Sequence, residues 1–275
     1  MNYSASTDVN PRKITTMRLL EMKQAGRKIV CLTAYDALIS RILDEAGIDL
    51  ILVGDSLGNI VQGYETTLPV TLEDTIYHTK AVINGCTRPL VVADMPFMTY
   101  QVSPEEAFRN AGRIMKESGC HAVKLEGGKL VVDAIERMRE AGIPAMGHLG
   151  LTPQSINRFG TYRARGTDRT EADKIFDEAK MLEDAGAFAI VLEKIPAELA
   201  KRITEALEIP TIGIGAGPYC DGQILVYTDM LGLTVDFSPR FVRRYAHLAD
   251  EIKLAVKNYT DDVRSVEFPT LDESY

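Results

Sequence analysis

Leu50-Ile-Leu-Val-Gly-Asp55, Leu90-Val-Val-Ala-Asp94 and Ala122-Val-Lys-Leu-Glu126 share one design. Each is a short apolar run closed by an acidic residue, and each is followed by loop and then by a stretch of helical period. Runs that are apolar on both faces, alternating with helices, predict a parallel sheet. All three carboxylates then fall at its C-terminal edge. Like charges gathered there repel one another unless a cation lies between them, and hard oxygen donors on a rigid platform suit Mg²⁺ best. The pattern predicts metal-dependent chemistry on an oxygen-rich small molecule.

The same rhythm extends in both directions. Strands are expected at 29–33, 50–53, 90–93, 122–125, 145–148, 187–192, 211–214 and 224–227. Amphipathic helices are expected at 36–46, 72–83, 104–116, 130–141, 169–185 and 197–207. A helix at 12–25 precedes the first strand, where it can close the bottom of a barrel, and a long helix is expected at 241–259. Several helices run into Gly47, Gly119, Gly142 or Gly186, the residue type that takes the left-handed conformation ending a helix. With 275 residues, the chain has the length of a (β/α)₈ barrel, which typically needs about 250. No linker divides it, so residues 1–275 are expected to form one α/β barrel domain with helical additions at each end.

Composition narrows the function. A net charge of −8, with no basic stripe, disfavours nucleic-acid binding, where phosphate attraction dominates affinity. No stretch reaches the 18 or so apolar residues of a membrane span. Residues 1–13 are polar, and Cys31, Cys86, Cys120 and Cys220 are scattered without a C-x-x-C pair. These features predict reduced thiols and a cytoplasmic protein.

Side chains alternate along a strand. Lys124 shares a face with Glu126, Val53 with Asp55, Met146 with His148, and Val191 with Glu193. At the C-terminal rim of a barrel, Asp55, Asp94, Lys124, Glu126, His148 and Glu193 would converge from strands two to six. Each has a plainer reading. A carboxylate after a strand can cap the next helix, Lys124 can pair with Glu126, His148 can be a hydrogen-bonded core histidine, and Glu193 can pair with Lys194. His121, at a strand start, and His78 and His247, on helices, read as structural. The Gly213-Ile-Gly-Ala-Gly217 turn follows the seventh strand, where many barrels bind phosphate, although a tight turn explains it equally. Residues 150–170 form the one long irregular segment, with Arg158, Arg163, Arg165 and Arg169. It is either a solvated loop or a mobile basic lid.

Longer motifs carry a resemblance. Thr33-Ala-Tyr-Asp36, Val53-Gly-Asp-Ser-Leu-Gly58, Thr67-Leu-Pro-Val70 and Ala93-Asp-Met-Pro-Phe97 belong to it, as do Val123-Lys-Leu-Glu-Gly-Gly128 and Gly147-His-Leu-Gly-Leu-Thr-Pro-Gln154. So do Val191-Leu-Glu193, Glu198-Leu-Ala-Lys-Arg-Ile-Thr204, Ile212-Gly-Ile-Gly-Ala-Gly217 and Asp221-Gly-Gln-Ile-Leu225. Together they resemble the ketopantoate hydroxymethyltransferase family. The resemblance implies a (β/α)₈ TIM barrel of the phosphoenolpyruvate/pyruvate type. It implies Mg²⁺-dependent transfer of a hydroxymethyl group from 5,10-methylenetetrahydrofolate to 3-methyl-2-oxobutanoate, giving 2-dehydropantoate on the route to pantothenate. It assigns Asp55, Asp94 and Glu126 to the metal. Ser56, Lys124 and His148, together with Asp55 and Asp94, go to the oxo acid, and Glu193 is the general base. It also suggests a homo-oligomer, a decamer. A lyase or mutase on the same barrel, working without tetrahydrofolate, and a non-catalytic barrel are the competing readings.

Overall fold

The computed structural model describes residues 13–236 and 239–275. Arg12, where the sequence begins its first helix, and the polar residues before it lie outside the described residues.

Eight parallel strands close into a barrel in chain order. They are β1 (Ile29–Thr33), β2 (Leu50–Val53), β3 (Leu90–Asp94), β4 (Ala122–Glu126), β5 (Ala145–Gly150), β6 (Ala189–Glu193), β7 (Thr211–Ile214) and β8 (Gly222–Leu225), with β8 hydrogen-bonded back to β1. The helices of this unit are α1 (Thr16–Gln24), α2 (Ala37–Glu45), α3 (Leu57–Ile60), α4 (Leu72–Gly85), α5 (Pro104–Ser118), α6 (Val132–Glu140), α7 (Ile156–Phe159), α8 (Arg169–Ala185) and α9 (Ala197–Ala206). Closure leaves no unpaired sheet edge. Alternate residues of every strand fill the interior, among them Cys31, Leu52, Val92, Ala122, Met146, Val191, Ile212 and Ile224. Ile14 and, from α1, Leu19 and Met22 join that cluster, so α1 plugs the N-terminal end. Each fully buried Leu, Ile, Val or Met among them contributes about 1.5–3 kcal/mol.

Register sets up the opposite rim. Asp94 lies beside Lys124, Glu126 beside His148, and Gly150 beside Glu193. Gly150 has φ +94°, and a Cβ there would stand 2.2 Å from the Glu193 carbonyl oxygen, so only glycine lets β5 run this close to β6.

Several boundaries differ from the sequence reading. The eighth strand begins at Gly222, two residues early, because Gly222 lies where a Cβ would be 2.6 Å from the Ile29 carbonyl. Tyr227 starts a helix instead. The sixth strand begins at Ala189 and not at 187. Residues 150–170 are not uniformly irregular: β5 runs to Gly150, and the 3₁₀ turn Pro153–Ser155 and α7 follow. Val226–Tyr275 forms a second compact unit, containing α10 (Tyr227–Met230) and α11 (Leu248–Ser265). The long helix expected at 241–259 begins only at Leu248. Before it, the Tyr245 N–H donates to the Met230 carbonyl, and Leu248 itself donates to Leu231. Those backbone donors are already engaged with α10, so the helix cannot extend backward through them.

Among the described residues, no helix is long and apolar enough to cross a membrane, and all four cysteines are free.

Candidate active site

The rim of β2 to β6 gathers the polar side chains singled out in the sequence. Asp55, Asp94, Lys124, Glu126 and His148 are all buried, and the Glu193 side chain is 15% exposed. Lys124 Nζ lies 2.8 Å from Asp94 Oδ1 and 3.2 Å from His148 Nδ1. His148 Nδ1 is 3.4 Å from Glu126 Oε1, and its Nε2 is 3.2 Å from Glu193 Oε2. A buried chain with an acid at each end and two bases between them therefore crosses from β3 to β6. Removing one partner of such a buried pair strands the other, at about 3–5 kcal/mol.

The plainer readings fare differently. Lys124 pairs with Asp94, not Glu126, because Asp94 is its register neighbour across the β3–β4 ladder. Glu193 turns to His148, while Lys194 donates to the Tyr162 carbonyl. Asp94 and Glu126 cap no helix: Ser103 caps α5, and α6 has no side-chain cap. Asp55 arrives differently from its neighbours. On β2 the interior residues are Leu50 and Leu52, so strand alternation does not aim Asp55 inward with Val53. The turn at Gly54 brings it round, and its N–H donates to Asp94 Oδ2 at 3.0 Å. Beside it, Ser56 Oγ lies 2.8 Å from the Tyr35 hydroxyl.

Sequence reasoning passed over two residues that organise this rim. Gln154 Nε2 donates to Asp55 Oδ2 and to the Met95 carbonyl, while its backbone N–H donates to Glu126 Oε2. Its Oε1 accepts from the Tyr100 hydroxyl at 2.6 Å, and the Glu126 N–H donates to that same hydroxyl oxygen. One residue, through its side-chain amide and its backbone N–H, thus ties the segment after β5 to two of the three carboxylates. Gln154 stands at the end of the Gly147–Gln154 motif, but a neutral amide carries no charge-pattern signal.

Four carboxyl groups face only two cations here, and the titration behaviour reflects it. Burial, then repulsion by Asp94 and Glu126, raises Asp55 to about 8. Burial likewise raises Asp94, with Lys124 opposing. Burial and Lys124 disfavour charge on His148, but contacts with the Glu126 and Glu193 carboxylates outweigh them and lift it to about 9. Lys124 also ends above its usual range, because Asp94, Glu126 and Asp55 overcome its burial. These shifts favour the cationic form of both bases and the protonated form of Asp55.

That excess of buried carboxyl oxygen suits a hard divalent cation. Asp94 Oδ1 and His148 Nε2 are buried without a well-aligned hydrogen bond, beside their charged neighbours Lys124 and Glu193. Among the described residues, no three His, Cys, Asp or Glu side chains converge on one point. The fit is to an ion held by one or two carboxylates and several waters, as Mg²⁺ usually is.

Comparison with known proteins follows the same line. A family model described as ketopantoate hydroxymethyltransferase matches residues 13–271. A protein of Chlorobaculum tepidum named 3-methyl-2-oxobutanoate hydroxymethyltransferase is 58% identical over 266 residues, covering 95% of this chain and 96% of that one. Among solved structures, phosphonopyruvate hydrolase in complex with oxalate and Mg²⁺ superposes with a TM-score of 0.61 at 10% identity, covering 94% of this chain and 93% of the other. 2,3-Dimethylmalate lyase, a member of the PEP mutase/isocitrate lyase superfamily, gives a TM-score of 0.58 at 17% identity, covering 94% and 90%. The latter two share the barrel fold with this chain.

Proposed function

This chain belongs to the ketopantoate hydroxymethyltransferase family, and from that premise we propose that it moves a one-carbon unit from 5,10-methylenetetrahydrofolate to 3-methyl-2-oxobutanoate. The product is 2-dehydropantoate, used in pantothenate and coenzyme A synthesis. The observation that carries this reading is the buried chain from Asp94 through Lys124 and His148 to Glu193. It sets cations in the middle, oxygen donors for a metal at one end and a separate carboxylate at the other.

The reaction needs a carbon acid to lose its proton. Mg²⁺, held through Asp55 and Asp94 with Glu126 behind them, would supply Lewis-acid polarisation of the substrate's keto oxygen. Lys124 and His148 add fixed positive charge where negative charge develops on that oxygen. Ser56 orients the substrate carboxylate. Glu193 takes the proton from C3. The Glu126 and Glu193 carboxylates favour the protonated form of His148, which makes it the poorer base. The C3 electrons then form the new carbon–carbon bond to the folate methylene, and its bonds to the folate nitrogens break. Water supplies the hydroxyl of the product. Its remaining proton and the C3 proton finish on the two folate nitrogens. The catalyst acts as a cytoplasmic homo-oligomer, for which the resemblance suggests a decamer.

Omission assays test this reading. Product should form only when oxo acid, 5,10-methylenetetrahydrofolate and Mg²⁺ are all present, and a strong chelator should stop it. Consumption of the oxo acid at an unchanged rate without tetrahydrofolate would instead indicate a lyase or mutase.

A further inference from the structure

We propose that the cavity beside Glu126 is the subsite of the one-carbon donor, with the donor's flat rings along Phe97 and Phe159 and its carboxylate tail at Arg158. The assignment rests on the hydroxymethyl-transfer reading above.

The cavity measures about 550 Å³. That is within the roughly 300–1,000 Å³ that holds a drug-sized ligand, and far more than a five-carbon oxo acid fills. Glu126, Gln154 and Tyr100 border it, but Asp55, Asp94, Lys124, His148 and Glu193 do not. It is therefore a neighbouring space that shares one wall with the acidic rim. A second substrate that reacts with the first must occupy such a space.

Its walls fit a flat ring system. Leu130 and Phe97 line it while 68% and 37% exposed, leaving apolar surface for a ligand to cover. The Phe159 ring is held in place by the Arg165 guanidinium 4.2 Å from its centroid, and Arg165 is itself paired with Glu171. A fixed aromatic wall favours stacking at little entropic cost.

Charge gives the cavity a direction. Of its cations, Arg165 is paired with Glu171, and Lys174 with Glu178 at 3.7 Å. Arg158 is exposed and has no acidic partner among the described residues; its guanidinium lies 5.7 Å from the Phe159 ring centroid. Glu126 marks the buried end and Arg158 the open one. A donor with its reactive carbon toward the oxo acid and an anionic tail toward solvent matches that polarity.

Two surface variants test the assignment, both at exposed positions where folding is not at stake: Arg158→Glu and Leu130→Glu. Steady-state kinetics with mono- and polyglutamylated 5,10-methylenetetrahydrofolate should show the donor KM raised about tenfold or more, while the KM for the oxo acid moves by less than about twofold. The increase should be larger for the polyglutamate and largely reversed in Arg158→Lys. Solvent exchange of the oxo acid's C3 proton, which needs no donor, should keep its wild-type rate. Wild-type donor KM in both variants would overturn the subsite while leaving the transfer reading intact. Failure of the unmutated protein to turn over with any methylene donor would overturn the transfer reading, and the subsite with it.

Discussion

Asp55 couples metal binding to protonation more directly than any other residue of the rim. With a carboxyl pKa of about 8 set by burial and by Asp94 and Glu126, this side chain is mostly protonated at pH 7. A divalent cation bound beside it favours the charged form, lowers its pKa and expels the proton. Calorimetric titration with Mg²⁺ at pH 7, in buffers of different ionisation enthalpy, should therefore show release of close to one proton per ion. The release should fade above about pH 9, where Asp55 is already ionised. Asp55→Asn should remove it. Binding without proton release in the unmutated protein would mean that the ion does not sit beside Asp55. The residues that could be named from sequence were those whose charge interrupts an apolar run, as Lys124 and Glu126 do. Gln154 and Tyr100 were hidden because their importance lies in hydrogen bonds formed across 28 and 26 residues of chain, not in any local pattern.

Among the elements, β4 shows how a strand end can carry pH dependence. His121 precedes it, and its Nδ1 accepts the Val91 N–H at 2.9 Å. Burial, with Lys13 adding to it, lowers His121 to about 4, against about 6.5 in an unfolded chain. Between those values the unfolded chain holds a proton that the folded one rejects. Its contribution is thus complete above about pH 6.5 and is lost as pH falls toward 4. His121→Asn keeps an acceptor for Val91 but does not titrate. Urea unfolding at pH 7.5 and 4.5 should show a larger acid loss for the unmutated protein than for the variant, and equal losses would contradict this role. The elements themselves were legible because strands buried on both faces read as short apolar runs, and α8 was placed to the residue. β8 was displaced because its first residue is a glycine, a weak strand signal that the close approach to Ile29 requires. The start of α11 was misplaced because hydrogen bonds to α10 decide it, and apolar spacing does not register them.

Across the whole barrel, five neighbouring strands each deliver one or two side chains to a common rim, and α1 fills the opposite end. This division lets the plugged end and interior supply stability while the rim carries buried charge that would otherwise be costly. We propose that the oxo acid loses its C3 proton to Glu193, across His148 and Lys124 from the Asp94 carboxylate proposed to hold the metal. The direct test is ¹H NMR of 3-methyl-2-oxobutanoate in D₂O with Mg²⁺ and without folate. With the unmutated protein the C3 methine signal should disappear and the methyl doublet collapse. With Glu193→Gln, which keeps the shape but removes the base, the rate should fall about 10²–10⁴-fold. Exchange by that variant at the wild-type rate would contradict the account and require another group as the base.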